Sequence, residues 1–277
     1  MRVLRRLLLL VLAAAFLLPL LWMLAVALQP DGTALTRSPW SFPDGAAVEN
    51  FRLAAERMGG QAGLRGFGRL VWNTSVLTVL SIAGQLFCCS LAGFAFACLR
   101  FRGRDALFLL VLATMMLPPQ VLAVPQFLLY RELGLVDTWG PLLLPTVLGG
   151  APFFIFLFRQ AFLSLPPDLL EAARLDGCGF FAQYRRVALP LVRPVTGAVA
   201  LFTFLATWND FWAPLIYLNS EEKQTLTLAL AAFQQSYRVA VEWLMAGTSL
   251  VLAPCLLVYF LAQGIFLRGV RLRSAKG

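Results

Sequence analysis

The chain of 277 residues contains no histidine, and only two of its 23 basic residues are lysines, Lys223 and Lys276. The absence of histidine removes the commonest general base, the commonest metal ligand and the usual side chain of proton relays. Neither lysine stands in the G-x-x-x-x-G-K-[ST] pattern that binds nucleotide phosphates. We therefore expect no catalytic residue, no metal site and no cofactor, and any ATP that drives this protein must be hydrolysed by a different subunit.

Acidic residues are also scarce, numbering 14 in the whole chain. The long apolar stretches described below hold one of them, Asp210, close to the outer end of its stretch. An ion-driven transporter usually keeps ionisable side chains at membrane depth, so the sequence argues against coupling to protons. The five cysteines show no metal-binding spacing, and we expect buried thiols that act as small apolar groups rather than disulfides.

Apolar residues, in contrast, make up 60% of the chain, and the mean hydropathy is +0.77. This composition predicts an all-α, polytopic transmembrane helix bundle. Because a span needs about 20 mostly apolar residues, we predict six, at residues 7–28, 71–98, 106–129, 141–158, 191–217 and 243–267. We assign 1–70 to an N-terminal span with an outer loop, 71–267 to a core domain and 268–277 to a basic tail. The first apolar run exceeds the roughly 7 to 15 residues of a signal peptide, so we expect it to be retained.

The basic residues are distributed unequally between the two sides of the predicted bundle. If the N-terminus is cytoplasmic, 15 of the 23 fall in cytoplasmic segments and 8 in outer segments. This asymmetry follows the positive-inside rule, so we expect both termini and the insert at 159–190 to be cytoplasmic. The basic residues are spread loop by loop rather than gathered on one face, which argues against a nucleic-acid partner.

The insert at 159–190 is amphipathic and predicts two short helices. Ser164 as a cap, Pro167 in the first turn and Asp168 as a first-turn acid would start the first helix, and Gly177 would end it. In the second helix, which Pro190 would close, we expect an apolar face of Phe180, Phe181, Tyr184, Val187 and Ala188, with Gln183, Arg185 and Arg186 facing away.

The same run resembles the EAA loop of ABC importer permeases, the inner-membrane subunits of binding-protein-dependent uptake systems. The resemblance is carried by Glu171-Ala172-Ala173, by Gly177 and by Val187-x-Leu189-Pro190. Further runs resemble the sugar-uptake branch, and in particular the maltose-system G-type permease: Asn73-Thr74-Ser75, residues 100–104, 116–120 and 133–138, and Trp208-Asn209-Asp210-Phe211-Trp212-Ala213-Pro214. The resemblance implies a type I, methionine-importer-like fold in a bacterial cytoplasmic (inner) membrane. It also implies a second similar permease, two ATPase subunits and an extracytoplasmic solute-binding protein as partners.

On the family pattern, the helix that carries Glu171 sits in a groove of the ATPase and moves with it. Glu171 and Arg174 would make polar contacts, and Ala172 and Ala173 would permit close approach. Asp176 and Gly177 would form the turn between the two helices, and Leu189-Pro190 would complete the motif. A second interpretation is an amphipathic helix that lies on the lipid headgroups.

A sugar crossing an apolar bundle needs hydrogen-bond partners for its hydroxyl groups. The polar and aromatic candidates for the solute path or an outer gate are Asn73, Ser75, Gln85, Trp208, Asn209, Asp210 and Trp212. The tryptophans also fit an interfacial aromatic belt, which has no solute contact.

The most economical interpretation is a permease subunit of an ATP-driven, binding-protein-dependent importer that forms half of the path for a sugar-class solute. The same architecture could import glycerol phosphate, a polyol or an oligopeptide. Outside transport, a membrane-embedded lipid-processing enzyme would need clustered catalytic groups, and a membrane scaffold would have no translocation path.

Overall fold

The computed structural model describes residues 2–33, 47–235 and 240–274. Over these ranges the chain forms helices and connecting turns without any β-strand, as the composition predicts. The α-helices are α1 Arg2–Ala27, α2 Glu49–Met58, α3 Gly63–Cys98, α4 Arg104–Ala113, α5 Pro119–Glu132, α6 Gly140–Leu144, α7 Pro152–Leu163, α8 Pro167–Leu175, α9 Phe180–Ala182, α10 Leu189–Leu191, α11 Arg193–Trp208, α12 Trp212–Tyr217, α13 Leu226–Gln235 and α14 Val241–Ser274. Two π-helical stretches, Pro145–Gly149 and Gln183–Ala188, join neighbouring helices.

Four helical stretches are long and apolar enough to cross a membrane: Leu4–Ala27, Gly60–Cys98, Gly140–Leu163 and Val241–Gln263. Two more candidates are bent pairs, Arg104–Met116 with Pro119–Glu132, and Phe180–Leu191 with Arg193–Trp208. Within the described residues the count is therefore four spans, or six if each bent pair is one span, which agrees with the predicted bundle.

The third predicted span, 106–129, is not one straight helix. Its two parts meet at 99°, and both residues at the junction, Leu117 and Pro118, have extended backbone. Each precedes a proline, and the proline ring disfavours the helical conformation of the residue before it. The Pro118-Pro119 pair therefore explains the bend.

The fifth predicted span, 191–217, also differs from the prediction. Its main helix α11 ends at Trp208, and α12 begins after a break at residues 209–211. On its other side, α11 meets the preceding helical stretch at 81°. Pro194 has no N–H to donate to the carbonyl group four residues earlier, which accounts for a bend at this point.

The described residues group into two compact units. The first unit comprises Met1–Asn73 and Gln224–Leu256, and in it α2 packs against α13. The side-chain amide of Asn50, near the start of α2, donates hydrogen bonds to the carbonyl oxygens of Ala27 at 2.9 Å and Gln29 at 2.8 Å. These two bonds fasten the end of α1 to α2.

The second unit comprises Thr74–Lys223 and Leu257–Gly277 and contains an aromatic core. Phe94, Phe158 and Phe162 are buried in it with Tyr184 and Val199. Gly93 on α3 allows α7 to approach closely, because a Cβ at this position would lie 2.5 Å from the Cβ of Phe158. This unit holds most of the residues that the sequence selects for function.

Large apolar side chains remain exposed along much of the chain, and most of α1 is of this kind. In water such a surface would be unfavourable, whereas it suits helices that face lipid or partner subunits.

The predicted boundary at residue 70 lies inside α3. Of the predicted tail 268–277, residues 275–277 and all the side chains lie outside the described part.

Candidate functional site

The first half of the coupling segment, by which we mean residues 164–191, is the helix α8 with a glycine turn after it. Pro167 occupies the first turn, and Asp168 places its negative charge there. Gly177 has φ of +79° and donates to the carbonyl oxygen of Arg174 at 3.0 Å, while Cys178 donates to that of Ala173 at 2.9 Å. This pair of bonds is a Schellman motif, which satisfies the last carbonyl groups of the helix. The predicted helix and its glycine stop are confirmed.

Ser164, however, is not the cap of α8. Its hydroxyl donates to the carbonyl oxygen of Ala161 at 2.7 Å, at the end of α7, and no side chain caps the start of α8. The predicted cap is wrong because Pro166 at the N-cap position already sets an extended backbone there.

The two sides of α8 differ in exposure. Ala173 is buried against the chain itself, whereas Glu171, Ala172 and Arg174 are exposed. Leu175 is 89% exposed, on the same side as Glu171 and Ala172. The exposed side therefore combines two opposite charges with an apolar end, which is the composition of a surface that contacts another protein. Leu175 is not among the residues predicted from the motif, although a leucine beside the polar helix end was a visible signal.

The second half of the coupling segment is a helical stretch from Phe180 to Leu191 with π-helical turns at Gln183–Ala188. Gln183 is buried and donates through its amide to the carbonyl oxygen of Cys178 at 2.7 Å. The prediction that Gln183 faces away is wrong, because π-helical turns bring residues five apart onto one side, and Gln183 shares the inner side with Ala188. Arg185 and Arg186 are exposed, as predicted.

The end of the motif also differs in detail from the prediction. Leu189 packs against the aromatic core. Pro190 does not end the helix, which continues to Leu191 before the bend. A proline near the start of a helical turn can lack its N–H without leaving a carbonyl unpaired.

The residues proposed for the solute path lie in three places. Asn73 is buried in the first unit, where its amide donates to the carbonyl oxygen of Gln224 at 3.0 Å. Ser75 is half-buried and belongs to the second unit, whose part of α3 begins at Thr74. Gln85 is buried in the second unit, and its side-chain oxygen accepts the N–H of Ala151 at 2.8 Å. The third group spans Trp208 to Trp212.

This third group forms the break between α11 and α12. Trp208 is buried and stacks on Phe204 with ring centroids 5.5 Å apart. The amide of Asn209 donates to the carbonyl oxygen of Leu205 at 2.8 Å, and the carboxylate of Asp210 accepts the N–H of Ala213 at 3.2 Å. Trp212 is 53% exposed. Asp210 thus orders the start of α12, while Asn209 and Trp212 remain accessible from outside the subunit.

A polar cluster around Asp137 was missed by the site prediction, although its motif at 133–138 contributes to the family resemblance. The carboxylate accepts the backbone N–H groups of Asn219 and Ser220, each at 2.9 Å, as well as the Ser220 hydroxyl. The ammonium of Lys223 lies 3.0 Å from the same carboxylate. Hydrogen bonds from Ser220 and Asn219, and then that from Lys223, hold the pKa of Asp137 well below its usual range.

Asp137 also adopts a φ of +60°, a value that residues other than glycine rarely take. Its N–H donates to the carbonyl oxygen of Tyr217 at 2.8 Å. The Asp137 cluster, that is Asp137, Asn219, Ser220 and Lys223, therefore fastens the turn before α6 to the turn after α12. A φ above zero and a lysine 86 residues away leave no local signal in a sequence.

The described residues contain no group of three potential metal-ligating side chains. All five cysteines are free; Cys89 and Cys255 are buried and the other three are partly buried.

Residues 89–272 match the protein family described as "Binding-protein-dependent transport system inner membrane component". Among curated proteins, the chain is 37% identical over 211 residues to the arabinooligosaccharides transport system permease protein AraQ of Halalkalibacterium halodurans, covering 76% of this chain and 74% of that protein. It is 31% identical over 250 residues to the sn-glycerol-3-phosphate transport system permease protein UgpE of Brucella abortus, covering 88% of this chain and 87% of that protein.

Among solved structures, a chain of a bacterial ABC transporter involved in the import of the acidic polysaccharide alginate aligns with a TM-score of 0.80 at 23% identity, over 95% of both chains. A chain of the inward-facing methionine ABC transporter MetNI aligns with a TM-score of 0.54 at 20% identity, over 71% of this chain and 93% of that chain. At these identities the likeness concerns the fold, which is the predicted one.

Proposed function

Because the chain belongs to the family of inner membrane components of binding-protein-dependent transport systems, we propose that it forms half of the translocation path of an ATP-driven importer for a sugar-class solute. Membership makes it a transport subunit and not an enzyme, and it works with other components of an ABC transporter. Its partners in this proposal are a second similar permease, two ATPase subunits and an extracytoplasmic solute-binding protein. The 15 to 8 distribution of basic residues supports cytoplasmic termini and a cytoplasmic coupling segment.

The observation that carries the proposal is the exposed side of α8. A rigid projection is what a subunit without its own nucleotide site needs in order to receive force from an ATPase. The Schellman motif at Gly177 and the burial of Ala173 hold α8 in one orientation, with Glu171, Arg174 and Leu175 outward. In the proposed complex, the two charged side chains pair with the ATPase and Leu175 enters an apolar site on it.

The sugar-class assignment is supported by the uptake system to which AraQ belongs. UgpE, at similar coverage, belongs to a system for a phosphorylated solute, so glycerol phosphate remains a second candidate. A neutral sugar needs hydrogen-bond groups and an aromatic face, which Asn209 and Trp212 supply. A phosphate group would instead require a basic side chain at the path.

The test of the coupling role uses Glu171→Ala and Leu175→Ala in the complete importer, with Glu132→Ala and Leu133→Ala as matched controls. Glu132 and Leu133 are exposed at the end of α5, which is not part of the coupling segment. Removal of one of the few side chains that carry the binding energy of an interface costs about 1 to 3 kcal/mol. If Glu171 and Leu175 are such residues, ATPase binding should weaken by roughly 5- to 150-fold in the first pair alone. Solute-stimulated ATP hydrolysis should fall in parallel, while membrane insertion stays normal. Full ATPase binding and transport by both α8 variants would contradict the coupling role.

The solute path has a separate test. Trp212→Ala removes an exposed ring without touching the Asp210 bond that orders α12, and Trp72→Ala removes an exposed ring of α3 as its control. We expect Trp212→Ala to lower the uptake rate at a fixed concentration of loaded binding protein. Equal uptake by the two variants would contradict a solute contact and favour the interpretation of Trp212 as part of an interfacial aromatic belt.

A further inference from the structure

An aromatic cluster joins the coupling segment to the long helix α3. The ring of Phe94, on α3, lies 5.1 Å from that of Phe180, 5.3 Å from that of Phe162 and 5.4 Å from that of Tyr184, measured between centroids. Phe162 belongs to α7, while Phe180 and Tyr184 belong to the coupling segment. Interiors packed in this way transmit displacement because they contain little free volume. A movement of the coupling segment is therefore transmitted to α3 through these packed rings.

A hydrogen bond between the coupling segment and α3 adds a fixed geometry to this aromatic contact. The hydroxyl of Tyr184 lies 2.6 Å from that of Ser90 on α3, and both side chains are buried. A serine hydroxyl has one proton, and that of Ser90 is donated to the carbonyl oxygen of Leu86, one turn earlier. The phenol of Tyr184 is therefore the donor to Ser90. Packed rings can slide, whereas a short hydroxyl bond holds the coupling segment at one position along α3.

The helix α3 also contacts a break in the neighbouring span, Gly140–Leu163. Gln85 and Cys89, which lie five residues and one residue before Ser90, contact the point where the π-helical stretch Pro145–Gly149 gives way to α7. The side-chain oxygen of Gln85 accepts the N–H of Ala151 at 2.8 Å, and the thiol of Cys89 at 3.0 Å. Gly150 has φ of +65°, and a Cβ there would lie 2.5 Å from the Cys89 sulfur. About 7.5 Å of α3 separates Gln85 from Ser90.

This break is a place where the span can bend. It combines π-helical turns, a left-handed glycine and Pro152 in the first turn of α7, which are the usual causes of kinks. Two contacts with α3 hold the present bend: the hydrogen bond from the N–H of Ala151 to Gln85, and a longer one from the Cys89 thiol to the carbonyl oxygen of Ala151 at 3.7 Å. Two arrangements of the break would differ in these contacts.

On the coupling role of α8 proposed above, we propose that the Tyr184–Ser90 hydrogen bond carries displacement of the coupling segment to α3, and from there to the break at Gly150–Ala151. Tyr184 and Ser90 are then positioning residues for transport. They contact neither solute nor ATPase, and they act by keeping the coupling segment and α3 in register.

The test uses Tyr184→Phe, Ser90→Ala and the double variant in the complete importer, reconstituted in vesicles with its ATPases and binding protein. Ser90→Ala leaves a buried phenol without its acceptor, while Tyr184→Phe removes the donor and keeps the ring. We expect Ser90→Ala to lower the stability of the complex more than Tyr184→Phe does, and the double variant to recover part of that loss. The control is Tyr259→Phe, at an exposed position of α14.

The decisive measurement is the amount of solute transported per ATP hydrolysed. We expect a decrease of about five-fold, the factor that one lost hydrogen bond represents, in all three variants, including the double variant whose stability recovers. Hydrogen exchange at Ala151 should rise at least about ten-fold when the wild-type importer is trapped with ATP, and should change less in Tyr184→Phe.

Wild-type transport per ATP in the double variant would overturn the proposal, because the contact would then be packing alone. Loss of ATPase binding in Tyr184→Phe would overturn it too, since the residue would then act at the interface. Failure of the coupling role has a different signature, namely normal ATPase binding and transport in both Glu171→Ala and Leu175→Ala.

Discussion

The close approach of α3 and α7 at Gly93 makes a quantitative prediction for Gly93→Ala. The added methyl group would lie 2.5 Å from the Cβ of Phe158, 3.0 Å from the backbone nitrogen of Arg159 and 3.2 Å from the carbonyl oxygen of Ile155. Two of these atoms belong to the backbone, and the third is attached directly to it. No rotation of a side chain relieves the overlap, so the two helices have to separate.

An ordinary contact with a Cβ begins at about 3.4 Å, so α7 must move by roughly 1 Å from α3. Overpacking of this kind costs about 1 to 3 kcal/mol. Alanine is favoured over glycine inside a helix by about 1 kcal/mol, which offsets part of the cost. We therefore expect Gly93→Ala to lower the free energy of unfolding by about 0 to 2 kcal/mol relative to wild type, and by about 1 to 3 kcal/mol relative to a glycine-to-alanine change in open space.

Gly68→Ala supplies that reference. Gly68 lies on the same helix, and a Cβ there would have no atom within 4 Å. The assay is thermal denaturation of the purified permease in detergent, followed by the loss of the monodisperse peak on size exclusion. We expect Gly68→Ala to be as stable as wild type or more stable, and Gly93→Ala to be clearly less stable than Gly68→Ala. Equal stability of the two variants would refute the close approach.

Three further predictions concern the Asp137 cluster, the Gly150 break and the orientation in the membrane. Asp137→Asn keeps a residue that tolerates positive φ but loses the charge. Because folding lowers the pKa of Asp137, the wild-type carboxylate stabilises the folded state at neutral pH, and the variant should be less stable. This difference in stability should be constant above about pH 4. It should shrink as the pH falls below that value in a denaturation series. Gly150→Ala should destabilise the permease by about 1 to 3 kcal/mol through strain and the clash with Cys89, and Cys89→Ala in the same chain should relieve only the clash. In a variant without native thiols, a cysteine in place of the exposed Glu221 should react with an impermeant reagent from outside, and one in place of the exposed Arg185 should not; the reverse pattern would contradict the orientation.

The fold was predictable to the level of spans because apolar run length is a local property. The breaks inside spans were less so. Pro118 and Pro119 are visible in the sequence, yet proline is common in membrane helices that remain continuous, and only the packed structure decides that this pair produces a 99° bend. The break after Trp208 includes Asp210, whose carbonyl group lies four residues before Pro214 and so loses its helical N–H partner. A kink at this point could be expected from the sequence, whereas the complete separation of α11 from α12 could not.

In the coupling segment, the end of α8 was predictable, because a glycine such as Gly177 readily adopts the positive φ that ends a helix. It was not predictable where the helical period changed. π-helical turns at 183–188 moved Gln183 to the inner side, and a period of 3.6 residues cannot anticipate this. Contacts between residues far apart in sequence, such as Tyr184 with Ser90 and Asp137 with Lys223, depend on tertiary structure and left no trace in local patterns.

The Asp137 cluster has a mechanical consequence for the span Gly140–Leu163. One end of this span begins three residues after Asp137, and its other end leads into the coupling segment. A span that is held near Asp137 and pushed at Leu163 has to take up the movement between these points, and the break at Gly150–Ala151 is where it can bend. The part beyond the break, α7, is about 16 Å long at about 1.5 Å per residue, so a rotation of roughly 10° about the break moves Leu163 by about 3 Å. The Asp137 cluster would therefore keep α6 in place while α7 swings.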